Sequence, residues 1–232
     1  MCYAICMSSS EQLRKNKNQH SVKNSKSKKM DTGISLAMSK LVRVLKKEYP
    51  TLSFEIIGRM LLKDIINTLS LQYPNNARHF SKVKDTSFIK PDGGFLFCTN
   101  SKNERHLILV SEVKRQGTND KRKKEGLKKQ AQGNAVERLG KNLIGIRTIF
   151  KHRGVLPFVC FGSGHDFAHN SSILDRVVTM NEFFPLNVVY VEKGFLPFEP
   201  VSMFFRKREW SQREMFKILY DVAKKSIEHK FI

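Results

Sequence analysis

Acidic residues are scarce in this chain. Its 232 residues hold 21 Asp+Glu against 42 Lys+Arg, a formal charge of +21 with a pI near 10.0. Solubility needs far less than this, and so large an excess of one sign points to a polyanionic partner, nucleic acid or an acidic membrane surface. Long apolar runs are lacking too. No window approaches the ~18 consecutive apolar residues of a transmembrane helix, so no membrane span is expected. The opening MCYAICM is too short for a secretory signal and lacks its basic start, which makes a cytoplasmic location the expectation. Cysteine is limited to Cys2, Cys6, Cys98 and Cys160, with no C-x-x-C pair beside histidines. That excludes a zinc-finger spacing and offers no disulfide framework, so all are expected to be free thiols.

The length fits one domain with a sizeable core. Residues 8–29, SSSEQLRKNKNQHSVKNSKSKK, are polar and basic without hydrophobic period. Residues 1–30 are therefore expected to be a disordered basic arm, suited to loose phosphate contact, ahead of a single domain at 31–232. Met7 and Met30 are alternative translation starts.

Ile34, Met38, Leu41, Val42 and Leu45 recur at helical spacing before Tyr49-Pro50, and a second helix is expected over 58–71. A hairpin follows in IKPDGGFLFCTNSKNERHLILVSEVKRQG (89–117), then a very basic connection, TNDKRKKEGLKKQAQ (118–132). An amphipathic helix opens at Asn134, with Val136, Leu139, Leu143, Ile146 and Phe150 on one stripe. VLPFVCFG (155–162) and NVVYVE (187–192) read as buried strands, with SILDRVVTM as a short helix between them. Ser211 and Glu214 form a capping box at the start of a last helix ending at Phe231. Strands alternating with helices give an α/β fold, a mixed β-sheet flanked by helices.

The hairpin carries the chemistry. With its turn near Lys102, paired residues sum to about 204, so Phe97 faces Leu107 and Asp92 faces Glu112, Cβ atoms roughly 5 Å apart. Lys114 shares the face of Glu112, while Val113 points away. Two carboxylates this close repel unless something positive lies between them. A hard divalent cation such as Mg²⁺ meets that need, with carboxylate oxygens, waters and substrate phosphate as its shell. Lys114 is then placed to orient or deprotonate an attacking water and to stabilise charge on the phosphate. The plainer alternative stays open at this point: a solvated strand end, with Asp92 serving the Asp-Gly-Gly turn.

GNAVER (133–138) opens the next helix. Asn134 and Glu137 account for it locally as a cap pair, yet Asn and Arg at a helix N-terminus also read base edges in the major groove. In order and spacing, SKLV with EYPTLSF (39–54), IKPDGG, LVSEVKRQG, GNAVER with KN after it, LPFV, ILDR, and REW followed by MFKILYD resemble the EcoRI-like type II restriction endonucleases of the PD-(D/E)XK nuclease superfamily.

That resemblance implies a restriction-endonuclease-like core and a homodimer that makes Mg²⁺-dependent cuts, with Mn²⁺ able to substitute, in both strands of a short palindrome in double-stranded DNA. It assigns catalysis to Asp92, Glu112 and Lys114, and metal ligation to Asp92, Glu112 and the Val113 carbonyl. Base reading carries to Asn134, Glu137 and Arg138, with Gln116, Ala131 and Arg176 near the bases and Lys141 and Asn142 near phosphates. A central AATT follows, with GAATTC the leading full site. The resemblance also implies a prokaryotic source and an adenine DNA methyltransferase as a neighbouring gene product rather than a bound subunit. The chain departs from the family in a shorter, more basic connection before GNAVER, in lacking a second arginine after Arg176, and in a shorter segment between Phe161 and Ser171.

Residues 113–153 hold thirteen Lys+Arg against Asp120, Glu125 and Glu137. A run linking the E-x-K strand to the GNAVER helix suits phosphate contact, and neutralising ~6 phosphates implies about three decades of lost affinity between 50 and 200 mM salt. His165, Asp166 and His169 lie in a Gly-rich stretch that reads as a polar loop rather than a metal site. Trp210 reads as a packing anchor. Two rivals share these features: a structure-specific repair or junction nuclease, and an inactive DNA-binding protein.

Overall fold

The structure is a computed structural model and describes residues 17–116, 124–126, 134–150, 155–167, 172–191 and 198–231. The side chains at 17–27, 134, 135, 138, 150 and 166 fall outside that description.

The first helix, α1 (Lys17–Glu48), starts well before the expected Ile34. Residues 17–29, expected as part of a disordered arm, are helical, and this expectation is corrected for them; residues 1–16 lie outside the described residues. No Gly or Pro interrupts residues 17–32, so a helix anchored further on propagates backward through lysines at little cost. The anchor is the stripe Met30, Ile34, Ala37, Met38, Leu41 and Leu45, all buried.

Among the described residues a five-stranded sheet runs in the order β1 (Ser53–Ile57), β4 (Gly94–Thr99), β5 (Arg105–Arg115), β6 (Phe158–Ser163), β7 (Ser202–Arg206). The first three are antiparallel neighbours, and β5, β6 and β7 are parallel. A separate two-stranded ribbon pairs β2 (Met60–Leu61) with β3 (Phe88–Ile89). Helix α2 (Leu62–Gln72) therefore starts later than position 58.

Two strands depart from the sequence reading. Edge strand β1 shows no alternation to detect, since only Phe54 of its five residues is buried. The strand expected at 187–192 is not one in its described part, 187–191; the fifth strand is SMFFR at 202–206. The 187–191 segment instead flanks it, with Asn187 N–H donating to Met203 O at 2.7 Å and Tyr190 N–H to the Ser202 hydroxyl at 2.7 Å. β-Branched composition favoured the wrong segment because strand propensity yields to which stretch is enclosed on both faces, and Ser202–Phe205 is buried throughout.

Helices cover both faces. On one, α1 and α5 (Gln212–Phe231) pack Ile34, Met38, Leu41, Leu219 and Val222 against Leu96, Ile108, Leu109, Val113 and Phe161. On the other, α2, α3 (Asn134–Phe150) and α4 (Ser172–Met180) pack Ile65, Leu139, Leu143, Ile146 and Val177 against Phe95, Val110, Phe158, Cys160 and Phe205. This is the mixed α/β sandwich expected. The α5 capping box forms as read: Ser211 N–H donates to Glu214 Oε2 at 2.9 Å and Glu214 N–H to the Ser211 hydroxyl at 3.3 Å. Trp210 packs on Phe161 and donates its indole N–H to Gly162 O at 2.9 Å. Among the described residues no helix is long and apolar enough to cross a membrane.

Candidate active site

The β4–β5 hairpin keeps the predicted register only near its turn. Phe97 pairs with Leu107, Cys98 with His106 and Thr99 with Arg105, but beyond a bulge Leu96 pairs with Leu109 and Gly94 with Ser111. Ile108 is the extra residue. A bulge shifts every later residue to the other face, which explains why Ile108 and its neighbour Leu109 both join the α1/α5 core. It also sends Val110, Glu112 and Lys114 toward the α3 side, where Glu112 lies level with the buried Cys160.

The slip leaves Asp92 outside the ladder rather than opposite Glu112. The turn Pro91–Gly94 delivers it there all the same. Gly93 N–H donates to Ser111 O at 2.9 Å and Gly94 N–H to Pro91 O at 3.1 Å, with Gly94 at φ +78°. Asp92 N–H then donates to Glu112 Oε2 at 3.0 Å, and Val113 N–H to Asp92 Oδ2 at 3.2 Å. Gly93 is required at this fold-over, because a Cβ there would lie 2.0 Å from the Ser111 hydroxyl oxygen and 3.1 Å from Ile34.

The Lys114 ammonium completes the group. It is hydrogen-bonded to Glu112 Oε1 and stands 3.5 Å from Asp92 Oδ2. The Glu112 side chain is 3% exposed, against 19% for Lys114 and 29% for Asp92, so the cluster opens to solvent on the Asp92 side. Burial pushes the Glu112 carboxyl above its ordinary pKa; Lys114 opposes this and Asp92 adds to it. For Lys114, burial is the largest influence and acts downward, but Glu112, Asp92 and Cys160 together outweigh it and raise the pKa. The ammonium is thus held charged between two carboxylates.

A third carboxyl shares this field. Asp31 of α1 sits between Met30, whose sulfur meets the Ser163 hydroxyl at 3.2 Å, and Ile34, which backs Gly93. Its pKa is raised first by burial and then by Asp92, with Lys114 opposing. Sequence reasoning missed it, since nothing local ties a helix residue to a turn sixty positions on.

The other predicted residues are spread around this centre. Gln116, just past the end of β5, is buried, its N–H donating to Ser163 O at 2.9 Å. Gly164, at φ +130°, makes that approach feasible, because a Cβ there would lie 1.8 Å from the Gln116 carbonyl oxygen. Helix α3 begins at Asn134 as expected and carries Glu137 and Lys141 exposed and Asn142 half-buried. Arg176 is exposed on α4. Ala131 lies outside the described residues, as do the side chains of Asn134 and Arg138 and most of the 118–132 connection. Among the described residues no three His, Cys, Asp or Glu gather into a metal cluster, and His165 sits in a short 3-10 turn (His165–Phe167). Cys98 and Cys160 are buried free thiols, with burial pushing Cys98 up to about 12; Cys2 and Cys6 lie outside the described residues.

A helix-flanked mixed sheet with a D…E-x-K cluster at the end of its central strand fits a restriction-endonuclease-like core. The particular family follows from the whole chain. The family model for the restriction endonuclease EcoRI matches residues 16–230, and the protein belongs to that family. It is 28% identical to the type II restriction enzyme EcoRI of Escherichia coli over 228 residues, covering 82% of each chain. It is 25% identical to the type II restriction enzyme RsrI of Cereibacter sphaeroides over 234 residues, covering 86% of this chain and 84% of that one.

Proposed function

We propose that the protein is a site-specific deoxyribonuclease that acts as a symmetric dimer on a short palindrome in double-stranded DNA. The observation that carries this reading is the buried meeting of Asp92, Glu112 and Lys114 at the end of β5. Two carboxylates against one ammonium leave a negative charge within a chain of formal charge +21, which suits a cation and a phosphate arriving together. The donor set fits Mg²⁺: Asp92, Glu112 and the Val113 carbonyl are hard oxygen donors, and Mg²⁺ binds through one or two carboxylates while keeping waters and taking phosphate. When bound, the ion supplies an acidified water and neutralises charge on the phosphate. Lys114 contributes a fixed positive charge beside the attacked phosphorus, Glu112 holds that ammonium, and Asp92 faces the solvent side from which the backbone enters.

In this reading, which rests on the family resemblance, Asn134, Glu137 and Arg138 at the start of α3 are the base readers, Gln116, Ala131 and Arg176 are further candidates for the bases, and Lys141 and Asn142 are candidates for phosphates. A central AATT is the core of the proposed site and GAATTC the full one. A symmetric dimer belongs to the proposal because its two-fold axis matches a palindrome. An adenine DNA methyltransferase is the expected neighbouring gene product.

Incubation with phage DNA and Mg²⁺ tests the reading. Discrete limit fragments with 5′-phosphate ends and one shared palindrome are expected. Cleavage confined to branched DNA would replace it with a structure-specific nuclease, and a gel shift with no cutting under any divalent metal with an inactive DNA-binding protein.

A further inference from the structure

Arg147 belongs by sequence to the basic run, yet it turns inward. Its guanidinium pairs with Glu182 Oε1 at 2.9 Å, and its second terminal nitrogen donates to Met180 O at 3.1 Å. Met180 ends α4, so a cation sits where that helix leaves carbonyls unpaired and its dipole is negative. The side chains of Arg147 and Glu182 are 16% and 24% exposed. Burial lowers the Arg147 pKa, while Glu182 and then Glu199 act to keep it charged.

Glu182 in turn is held on its other side. Its Oε2 accepts from Glu199 N–H, and the preceding Asn181, fully buried, accepts from Val201 N–H at 2.8 Å just before β7. Higher on the same interface α3 and α4 touch closely, with a Cβ on Gly140 lying 3.2 Å from the Met180 sulfur. One half-buried ion pair therefore ties the helix that opens with GNAVER to the end of the helix bearing Arg176, and both to the entry of β7.

We propose that Arg147 and Glu182 form a latch that sets the position of α3 against α4, making them positioning residues for sequence discrimination rather than DNA contacts. This rests on the reading of α3 and α4 as base-reading elements. Side chains that read base edges act only at hydrogen-bond distance, so a shift of a fraction of an ångström between the helices weakens the correct site more than an incorrect one. A phosphate contact behaves differently: its loss weakens all sequences alike and flattens the salt dependence.

The test uses the full chain without Mg²⁺, comparing binding to a duplex with the wild-type site, defined from sequenced cleavage ends, and to duplexes changed at one central pair, over a range of salt. Arg147→Met and Glu182→Gln are expected to lower the preference for the correct duplex by about tenfold with an unchanged salt slope. The double variant should lose no more than the worse single one, and Arg147→Lys should recover part of the loss. A salt slope lower by about one for Arg147→Met would overturn the latch in favour of a phosphate contact. Unchanged discrimination in Glu182→Gln, the gentler substitution, would overturn it as well. Absence of discrimination in the wild type would instead overturn the site-specific reading beneath it, and the latch with it.

Discussion

The two ends of β5 carry the same kind of interaction in opposite settings. At the turn end Arg105 pairs with Glu55 at 2.6 Å, the side chains 43% and 64% exposed, in regular register. At the other end, past the Ile108 bulge, Lys114 pairs with Glu112 and Asp92, and Glu112 is 3% exposed. A surface pair contributes ~0–1 kcal/mol. A buried one costs several kcal/mol of desolvation for each ion, so stability alone does not favour it. The contrast teaches that stability alone does not account for the inner cluster, which fits the role proposed for its charges.

Substitutions can break or sharpen that contrast. The largest effect is expected at the inner end: Asp92→Ala lowers single-turnover cleavage by about 10³-fold or more while leaving metal-free binding to the site intact, read from quenched-flow cleavage beside a gel shift. Next comes the turn that delivers Asp92. Gly93→Ala drives a methyl into the Ser111 hydroxyl and should cost ~1–3 kcal/mol in urea unfolding. Ser111→Ala should relieve part of that cost, since the Ser111 hydroxyl makes no hydrogen bond among the described residues.

An intermediate case is Glu214, on the surface but gripped by Arg206 at 2.7 Å, Arg208 at 2.5 Å and the Ser211 cap. The Arg206 hydrogen bond first, then those from Ser211, hold its carboxyl well below the usual carboxylate range. A depressed folded pKa contributes stability above the unfolded value of about 4.3, lost as pH falls toward the folded one. Melting temperatures of wild type and Glu214→Gln should therefore differ at pH 7 and converge at acid pH. The smallest effect belongs to the outer end of β5, where Glu55→Gln should change stability by less than about 1 kcal/mol and leave cleavage unaltered.

Much of this was legible in the sequence because it is local. The α3 stripe, the α5 capping box and the pairing of Phe97 with Leu107 all follow from spacing. The Asp92, Glu112 and Lys114 cluster was legible too, though by a simpler route than the real one. A uniform hairpin places Asp92 across from Glu112; the bulge at Ile108 removes it from the ladder, and the Gly93–Gly94 fold-over returns it. Bulges leave little trace in composition, whereas a carboxylate, a turn and an E-x-K do.

What stayed hidden depends on distant partners. SMFFR becomes a strand because β6 and the 187–191 segment enclose it, and the more β-branched NVVYVE does not. Residues 17–29 read as an irregular arm because they have no apolar face, yet a helix packed from Met30 onward extends through them. Arg147 looked like one more phosphate-binding cation until Glu182 and Met180 claimed it.

Glu112→Gln offers the most direct test that the buried end of β5 is a reaction centre, because it keeps the side chain's shape while removing its charge and one of its two acceptor oxygens. Single-turnover cleavage of a site-bearing duplex, measured across Mg²⁺ and Mn²⁺ concentrations for wild type and variant, should show saturable metal-dependent cutting in the wild type alone, with both proteins binding the duplex equally without metal. Cleavage by Glu112→Gln at the wild-type rate and with the same metal dependence would contradict the account.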